Sequence, residues 1–304
     1  MKKKLLVTGA SGQIAGALAG SLAARGHEVW GVARFGDEER RREIESRGVT
    51  TRRVDLADPD WSGIPADFDH VLHLAVQMGP STDWDRAIEV NALGTGALIS
   101  HFRACASILS MSTTGVYRPH PDPWHRYVET DPLGDPISPT TPTYGVSKIS
   151  QEAVARFAAR EFGVPVVIGR MNASYGPGGG LAMKHLERLL ADETITLRHD
   201  PAPNQPIFEE DIADHALALL EAATVPALIV NFGGDETVTA QEWIRYMADL
   251  VGKTPRIEIA QIPGSQPGIA LDVSKRISIT GPDRFHWHDG MRAMVESRLA
   301  RASH

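Results

Sequence analysis

The residue pair best suited to proton transfer is Tyr144 and Lys148, which lie four residues apart in the segment TPTYGVSKISQEAVARF. This segment has a helical pattern, so both side chains project from one face, one turn apart. A tyrosine phenol has an ordinary pKa of about 10, too high for a base at neutral pH, and a neighbouring ammonium favours the phenolate. The spacing therefore predicts that Lys148 lowers the pKa of Tyr144 and makes it a usable acid or base. Taken alone, the pair also fits two residues that share a helix face by chance.

A run of hydroxyl residues, SMSTTGVY at 110–117, precedes this pair in the chain. It ends a predicted strand at 107–112, so its hydroxyls are expected at the carboxyl edge of a sheet. Open α/β sheets bind their ligands at that edge. The run therefore predicts hydroxyl groups beside the Tyr144 phenol.

A glycine-rich stretch, LLVTGASGQIAG at 5–16, could hold a phosphate group. An apolar run stops at Thr8, and the small residues Gly9, Gly12 and Gly16 follow where a helix begins. Such a turn lets backbone approach a pyrophosphate at a helix N-terminus, where free N–H groups and the dipole favour an anion. A glycine-rich turn by itself is often only a turn. The next apolar run, at 28–33, follows one helix later, which is the strand–helix–strand context of dinucleotide binding.

These residues need a scaffold in which strands and helices alternate. Strands are predicted at 4–8, 28–33, 51–54, 70–74, 107–112, 164–170 and 227–231, and helices at 13–25, 37–47, 83–104, 143–162 and 240–251, the last capped by Thr239. The alternation predicts an α/β fold, a doubly wound parallel sheet of the Rossmann type. The Pro-rich loop at 119–142 is too long for a mere connector and is expected to border a site. We expect a dinucleotide-binding domain at 1–170 and a smaller, interleaved and mainly substrate-binding region at 171–304, some of whose segments return to the sheet.

Composition limits the partners. The 304 residues carry a formal net charge of −7, so neither nucleic acid nor an anionic membrane is expected as a partner. The basic start is followed by an apolar run that breaks at Gly9, so no export signal is expected, and no segment approaches the length of a membrane span. The single Cys105 cannot form an internal disulfide. These features predict a cytoplasmic protein, and the spacing of the histidines predicts no metal site.

The motifs in this order resemble those of the extended short-chain dehydrogenase/reductase superfamily, and specifically its NAD(P)-dependent epimerase/dehydratase family. The resemblance covers nearly the whole chain. Its pieces are TGASGQIAG at 8–16, DLAD at 55–58, HLA at 73–75, VNALGTGALI at 90–99, STTGVY at 112–117, YGVSK at 144–148, RMNASYGPG at 170–178 and FEEDIA at 208–213.

The resemblance implies a catalytic role for four residues. Tyr144 would give or take the proton, and Thr113 would hydrogen-bond the reacting oxygen. Lys148 would hold the nicotinamide ribose and lower the pKa of Tyr144, while Asn91 would support the site. Hydride transfer leaves an alkoxide that must exchange a proton at the same time, so the chemistry needs such a set. Thr113 could instead cap the turn, with Ser112 or Thr114 as the active hydroxyl, and Asn91 could simply bond backbone in its helix.

The resemblance also implies a dinucleotide site, and the second strand bears on which dinucleotide it takes. NAD sites usually place an acid at the end of this strand, but this chain has Ala33 and Arg34 there. A guanidinium suits a 2′-phosphate, so NADP is predicted over NAD. Arg34 could also be a solvated charge, with Asp37 accepting from the ribose. The predicted cofactor residues are Gly9, Ser11, Gly12, Gln13, Ile14, Arg34, Asp55, Leu56, Leu74, Ala75 and Lys148.

Two departures from the family bear on the substrate. Nucleotide-sugar sites bring arginines to the diphosphate, yet the expected position lies near Asn204 and the segment IPGSQPGIALD has none. Arg276 or Lys184 could still arrive from elsewhere. Sugar dehydratases carry an acid pair after the catalytic hydroxyl, where this chain has Thr114 and Gly115, so dehydration is not expected.

Three functions fit these residues. The leading prediction is an NADP-preferring oxidoreductase that interconverts a carbonyl and a secondary alcohol on a small, non-nucleotide substrate. The first alternative is an epimerase acting on a sugar or sugar nucleotide, which uses the same groups and returns the hydride to the opposite face. The second alternative is a dinucleotide-binding protein without turnover. The resemblance further implies a homodimer formed through the helices predicted at 83–104 and 143–162.

Overall fold

The computed structural model describes residues 1–134 and 136–302. The strands are β1 (Lys4–Thr8), β2 (Glu28–Ala33), β3 (Thr50–Arg53), β4 (His70–His73), β5 (Ser107–Thr113), β6 (Arg126–Tyr127), β7 (Val166–Met171), β8 (Ser174–Gly176), β9 (Gly179–Gly180), β10 (Ile195–Leu197), β11 (Pro203–Asn204), β12 (Ile207–Phe208), β13 (Leu228–Phe232), β14 (Val238–Thr239), β15 (Ile257–Ile259) and β16 (Ala270–Leu271). The helices are α1 (Gln13–Ala24), α2 (Glu38–Ser46), α3 (Trp84–Ile88), α4 (Gly94–His101), α5 (Tyr144–Phe162), α6 (Leu181–Leu190), α7 (Glu209–Glu221), α8 (Ala240–Val251), α9 (Ser274–Thr280) and α10 (Trp287–Ala302).

Within the described residues, seven of these strands form one sheet in the order β13-β7-β5-β4-β1-β2-β3. All its neighbouring pairs are parallel. The chain starts at the centre and winds outward in both directions, which leaves a crevice where the winding reverses beside β1. The predicted α/β Rossmann fold is therefore confirmed.

Alternation along β1 places helices on both faces of the sheet. Leu5 and Val7 join a core cluster that includes the apolar faces of α1 and α7. Leu6, between them, joins a second cluster, built with α4 and α5 on the opposite face. Successive strand residues point to opposite faces, so an unbroken apolar run is what a doubly covered strand requires.

The smaller region after Met171 has its own apolar cluster, formed mainly by α6, α8 and α10 around the buried Trp243. Its α8 begins at Thr239 with a capping box, in which Thr239 and Glu242 satisfy each other's backbone N–H groups. This confirms the predicted cap. Strand β13 leaves this region and pairs with β7 at the edge of the main sheet.

Two predicted stretches differ from the structure. The single helix predicted at 83–104 is divided into α3, one π-helical turn at Glu89–Leu93, and α4. The loop predicted at 119–142 contains β6, which pairs in parallel with β16 and so ties the loop to the C-terminal region. Among the described residues, none of the helices has both the length and the apolar character needed to cross a bilayer.

Candidate active site

The glycine-rich turn brings the backbone of β1 against the end of β4. Gly9 has a φ of +73°, and a Cβ there would lie 2.7 Å from the Cα of Ala75. Only glycine combines this φ with so close an approach. Gly12 then caps α1 without any side-chain bond, so the first N–H groups of the helix remain free for an anion.

A cavity of about 320 Å³ opens where these elements meet. Both residues of the predicted proton-transfer pair and the whole predicted cofactor set contribute to its wall. Thr113 and Asn91 do not belong to the lining. The predicted residues in the wall are Gly9, Ser11, Gly12, Gln13, Ile14, Arg34, Asp55, Leu56, Leu74, Ala75, Tyr144 and Lys148.

Behind the cavity wall, a buried histidine joins three elements. His73 Nδ1 lies 2.8 Å from the Thr8 hydroxyl, and its Nε2 lies 2.7 Å from the Thr95 hydroxyl. The Thr95 hydroxyl donates to the carbonyl of Asn91, so the network assigns the ring proton to Nε2. Burial, helped by the nearby positive charge of Lys148, lowers the pKa of His73 to about 3. The neutral ring therefore holds Thr8, whose oxygen accepts from the N–H of Ala75 at 3.1 Å.

Three arginines lie in or near the part of the cavity formed by the end of β2, the glycine turn and Asp55. Arg34 is exposed in its wall at the end of β2. Arg40, in α2, reaches back to the glycine turn and donates to the Ser11 carbonyl at 3.4 Å. Asp55 is paired with Arg86 at 2.7 Å. Burial acts against the Asp55 charge, yet bonds from a backbone N–H and from Arg86 keep its pKa below the usual value.

Tyr144 is half-buried at the start of α5, in the wall of the cavity. Burial raises the pKa of its phenol, and a hydrogen bond with the Thr113 hydroxyl acts in the opposite direction. Thr113 accepts from the N–H of Gly115 at 3.1 Å, so its hydroxyl caps the turn. Ser112 and Thr114 use their hydroxyls elsewhere, on Glu152 and the Met171 carbonyl.

Lys148 bonds to groups on β5 and α5, and its effect on the pKa of Tyr144 stays a prediction. Its ammonium donates to the Met111 carbonyl at 2.6 Å and to the side-chain oxygen of Gln151. Burial lowers the pKa of Lys148 to about 7, although nearby Glu152 acts in the opposite direction. The spacing correctly placed both side chains at one cavity.

Asn91 lies in the π-helical turn and holds two other segments together. Its side-chain oxygen accepts from the N–H of Gln77 at 2.7 Å, while its amide donates to the Gln77 carbonyl and to the Ser147 hydroxyl. Ser147 precedes Lys148 on α5. Asn91 thus fixes the start of α5 against the loop after β4, which is a supporting contact rather than contact with the cavity.

A buried polar seam between β5 and α5 was not predicted. Ser112 donates to Glu152 at 2.5 Å, and Glu152 forms a two-pronged ion pair with Arg170 of β7. Both charged side chains are almost fully buried. The adjacent Gln151 and Glu152, on the helix face that also carries Lys148 and Ala155, are the sequence signal that could have revealed these contacts.

Three polar residues of the C-terminal half, Asn172, Asn204 and Arg276, are bonded to other groups of the protein. Asn172 bonds backbone at both ends of its amide, and Asn204 donates to the Ala202 carbonyl at 3.0 Å. Arg276 is fully buried and paired with Asp235 and Asp283, so it is not available as a free cation. Lys184 lies on the exposed face of α6. Among residues 1–134 and 136–302, no group of three or more His, Cys, Asp or Glu side chains is placed to hold a metal ion.

Comparison with known proteins gives this geometry a family. A dTDP-4-dehydro-6-deoxy-D-allose reductase from a Streptomyces species is 26% identical over 294 residues, which cover 90% of this chain and 89% of that protein. The UDP-glucose 4-epimerase of Thermus thermophilus, solved with NAD, is 27% identical with a TM-score of 0.79, covering 97% of this chain and 98% of that one. The UDP-glucuronic acid 4-epimerase of Bacillus cereus, solved with UDP-glucuronic acid and NAD, superposes with a TM-score of 0.83 at 23% identity, covering 98% and 99%.

Residues 5–233 match the model of the NAD dependent epimerase/dehydratase family, and this range contains the whole main sheet except Lys4. The resemblance seen in the motifs is thereby confirmed. This chain belongs to the NAD dependent epimerase/dehydratase family, within the extended short-chain dehydrogenase/reductase superfamily.

Proposed function

We propose that the protein moves hydride between a nicotinamide dinucleotide and the carbinol carbon of a nucleotide sugar, with Tyr144 as the acid or base. The observation that carries this proposal is the position of Tyr144 and Lys148 in the wall of the same cavity that contains the glycine turn. The names of the relatives indicate nucleotide-linked sugars as substrates. They favour the sugar-nucleotide alternative over the small, non-nucleotide substrate predicted first.

The residues present fit a dinucleotide. The backbone contact between Gly9 and Ala75 and the uncapped start of α1 leave a cradle for a pyrophosphate, which a Cβ at Gly9 would disturb. When bound, the nicotinamide ring accepts or supplies the hydride. The chain's own part is proton transfer and orientation.

In the proposed mechanism, Tyr144 takes a proton from the substrate hydroxyl as the carbonyl forms, or returns it in the reverse direction. Thr113 hydrogen-bonds the same oxygen and stabilises its developing charge. The Thr113 bond also favours the phenolate, against the effect of burial on the Tyr144 pKa. Lys148 bonds to the Met111 carbonyl and to Gln151, and its remaining N–H would hold the ribose hydroxyls.

These groups serve a reductase and an epimerase equally, because both pass through the same carbonyl. A reductase oxidises the reduced dinucleotide in each turnover. An epimerase returns the hydride to the other face of the sugar and leaves the dinucleotide in its original oxidation state. Dehydration needs a further carboxyl, and Thr114 and Gly115 occupy the positions after Thr113. Thr114 is bonded to the Met171 carbonyl, which also removes it from such a role.

NADP is the dinucleotide we propose, although the solved relatives described above contain NAD. Two arginines support this choice, Arg34 in the cavity wall and Arg40 beside Ser11, because a guanidinium binds a 2′-phosphate well. We expect Arg34→Gln and Arg40→Gln each to weaken NADPH binding by about tenfold and to leave NADH binding unchanged. Arg42→Gln is the matched control, because Arg42 is an exposed residue of α2, the helix that contains Arg40. Equal effects on NADH and NADPH would contradict the assignment.

One observation favours a second candidate, the same chemistry on a substrate without a diphosphate. The position expected for a diphosphate-binding arginine lies near Asn204, and Arg276 is buried in ion pairs with Asp235 and Asp283. Calorimetric titration with UDP and dTDP separates the two candidates. Saturable binding of UDP or dTDP supports the nucleotide-sugar substrate. If neither nucleotide binds, the second candidate is supported.

The function itself is tested by turnover. The protein is incubated with each oxidised and reduced dinucleotide and with panels of UDP-linked sugars, dTDP-linked sugars and unlinked carbonyl compounds. A change in nicotinamide absorbance identifies a reductase, and a new sugar epimer in the NMR spectrum without that change identifies an epimerase. Dinucleotide binding without turnover of any compound would instead support the non-catalytic alternative.

We also infer a homodimer formed through α4, α5 and the π-helical turn. Leu93 in that turn is 60% exposed and Phe157 in α5 is 64% exposed, although both belong to helices that pack against each other. Apolar side chains this exposed on adjoining helices suit a helix–helix interface between two copies.

A further inference from the structure

Lys148 donates a hydrogen bond to Gln151, a residue that the sequence analysis did not identify as functional. The Gln151 side-chain oxygen accepts from Lys148 Nζ, and the Met111 carbonyl accepts a second N–H at 2.6 Å. Both side chains are buried, and Gln151 is 0% exposed. An ammonium has three N–H donors, so these two acceptors leave one donor for the cavity.

Gln151 is itself held in one orientation. Its amide nitrogen donates to the Ser110 hydroxyl at 3.0 Å and to the Met111 carbonyl at 3.3 Å. With the nitrogen fixed on β5, the oxygen must face Lys148. A buried amide with all these partners is costly to disturb, because each bond lost leaves a polar group without water.

We propose that Gln151 is a positioning residue that fixes the Lys148 ammonium against β5 and so aims its remaining N–H at the ribose of the bound dinucleotide. This inference rests on the proposed function, because it assigns Lys148 to the dinucleotide. Gln151 touches neither substrate nor cofactor in this assignment; it acts only through Lys148.

Several charged or titratable groups surround the ammonium. On α5 these are the Tyr144 phenol one turn before it and Glu152 one turn after it, and Glu152 is paired with Arg170 of β7. On β4 it is His73, which remains neutral. Glu152 therefore favours the ammonium from a distance, while Gln151 bonds it directly. Because burial opposes the charge, removing the Gln151 oxygen should make Lys148 lose its proton at a lower pH.

The experiment measures NADPH binding by the wild-type protein and by three variants across pH. Gln151→Met keeps the volume and removes the acceptor, and Ser110→Ala releases the amide that orients it. Gln151→Glu keeps an acceptor and adds negative charge. Gln241→Met is the matched control, because Gln241 is a buried, fully bonded glutamine of α8 in the smaller region. Thermal unfolding shows that each variant is folded.

Binding should weaken as pH rises and the ammonium is lost. We expect Gln151→Met to raise the NADPH dissociation constant about tenfold at neutral pH. The midpoint, which is the pH at which binding is half lost, should fall by about half a pH unit. Ser110→Ala should move it in the same direction by less, and Gln151→Glu should move it higher. A purely structural role would not move the midpoint in opposite directions.

Two results would overturn the inference, for different reasons. If wild type binds NADPH and both Gln151 variants keep its dissociation constant and midpoint, Gln151 does not position Lys148. If wild type binds neither NADPH nor NADH, the proposed function is wrong and the inference falls with it. Should Gln151→Met fail to fold, Ser110→Ala and Gln151→Glu still give the opposed shifts that decide the matter.

Discussion

Replacing Glu152 with leucine should destabilise the protein strongly, because it leaves the Arg170 charge buried without a partner. The two side chains are only 3% and 2% exposed, and their two bonds measure 2.8 and 3.0 Å. The remaining contacts of Arg170 are the Glu129 carbonyl at 3.0 Å and the Tyr117 ring at 4.8 Å, which do not neutralise it. Removing one partner of such a buried pair costs about 3–5 kcal/mol.

The assay is urea unfolding, with the free energy of unfolding extrapolated to water. Glu152→Leu combined with Arg170→Met should recover most of the loss, because replacing both charges by apolar groups of similar volume is often nearly neutral. The control is Glu210→Leu, which breaks an ion pair with Arg284 in which both side chains are at least half exposed; such pairs contribute at most about 1 kcal/mol. A loss below about 1 kcal/mol for Glu152→Leu, or no recovery in the double variant, would refute this reasoning.

Three further predictions follow from single contacts. Gly9→Ala should abolish dinucleotide binding measured by fluorescence, because its Cβ would meet Ala75, whereas Gly26→Ala, which has a similar φ and open space, should retain binding; loss in both would contradict the steric argument. Folding keeps His73 neutral, and its contribution to the free energy of unfolding is fully present above its ordinary pKa of 6.5. As pH falls from 6.5 toward about 3, the unfolded chain takes up a proton that the folded protein does not. The free energy of unfolding should therefore fall by about 1.4 kcal/mol per pH unit in this range. Unfolding of His73→Gln should therefore lack this part of the acid sensitivity, and an unchanged slope would count against it. Phe157→Glu should convert the dimer to a monomer in light scattering, and a wild-type monomer would disprove the dimer.

The sequence was sufficient for the fold because the signals that specify it are local. The apolar runs predicted the observed bounds of β1 and β2, and Thr239 marked the start of α8. The motif order was also sufficient to place Tyr144 and Lys148 at one cavity. The predictions of the strands and of the helix start depend on residues close together in the sequence. The prediction of the cavity depends on the order of motifs that the family shares.

The rest depends on contacts between distant residues. Lys148 bonds to the Met111 carbonyl of β5 and to Gln151 on its own helix, and periodicity gives no information about these partners. The π-helical turn contains Asn91, which bonds to Gln77 and to Ser147. These partners are distant in the sequence, and the apolar spacing alone therefore predicted one continuous helix. π-Helical turns are often found at functional sites.

The central claim, that Tyr144 transfers the proton during hydride transfer, is tested most directly by Tyr144→Phe. The variant is compared with wild type for turnover of the nucleotide sugar identified in the panel, with dinucleotide binding measured in parallel. We expect turnover to fall by about 10²- to 10⁴-fold, while dinucleotide binding remains close to wild type. Full turnover by Tyr144→Phe would contradict the account.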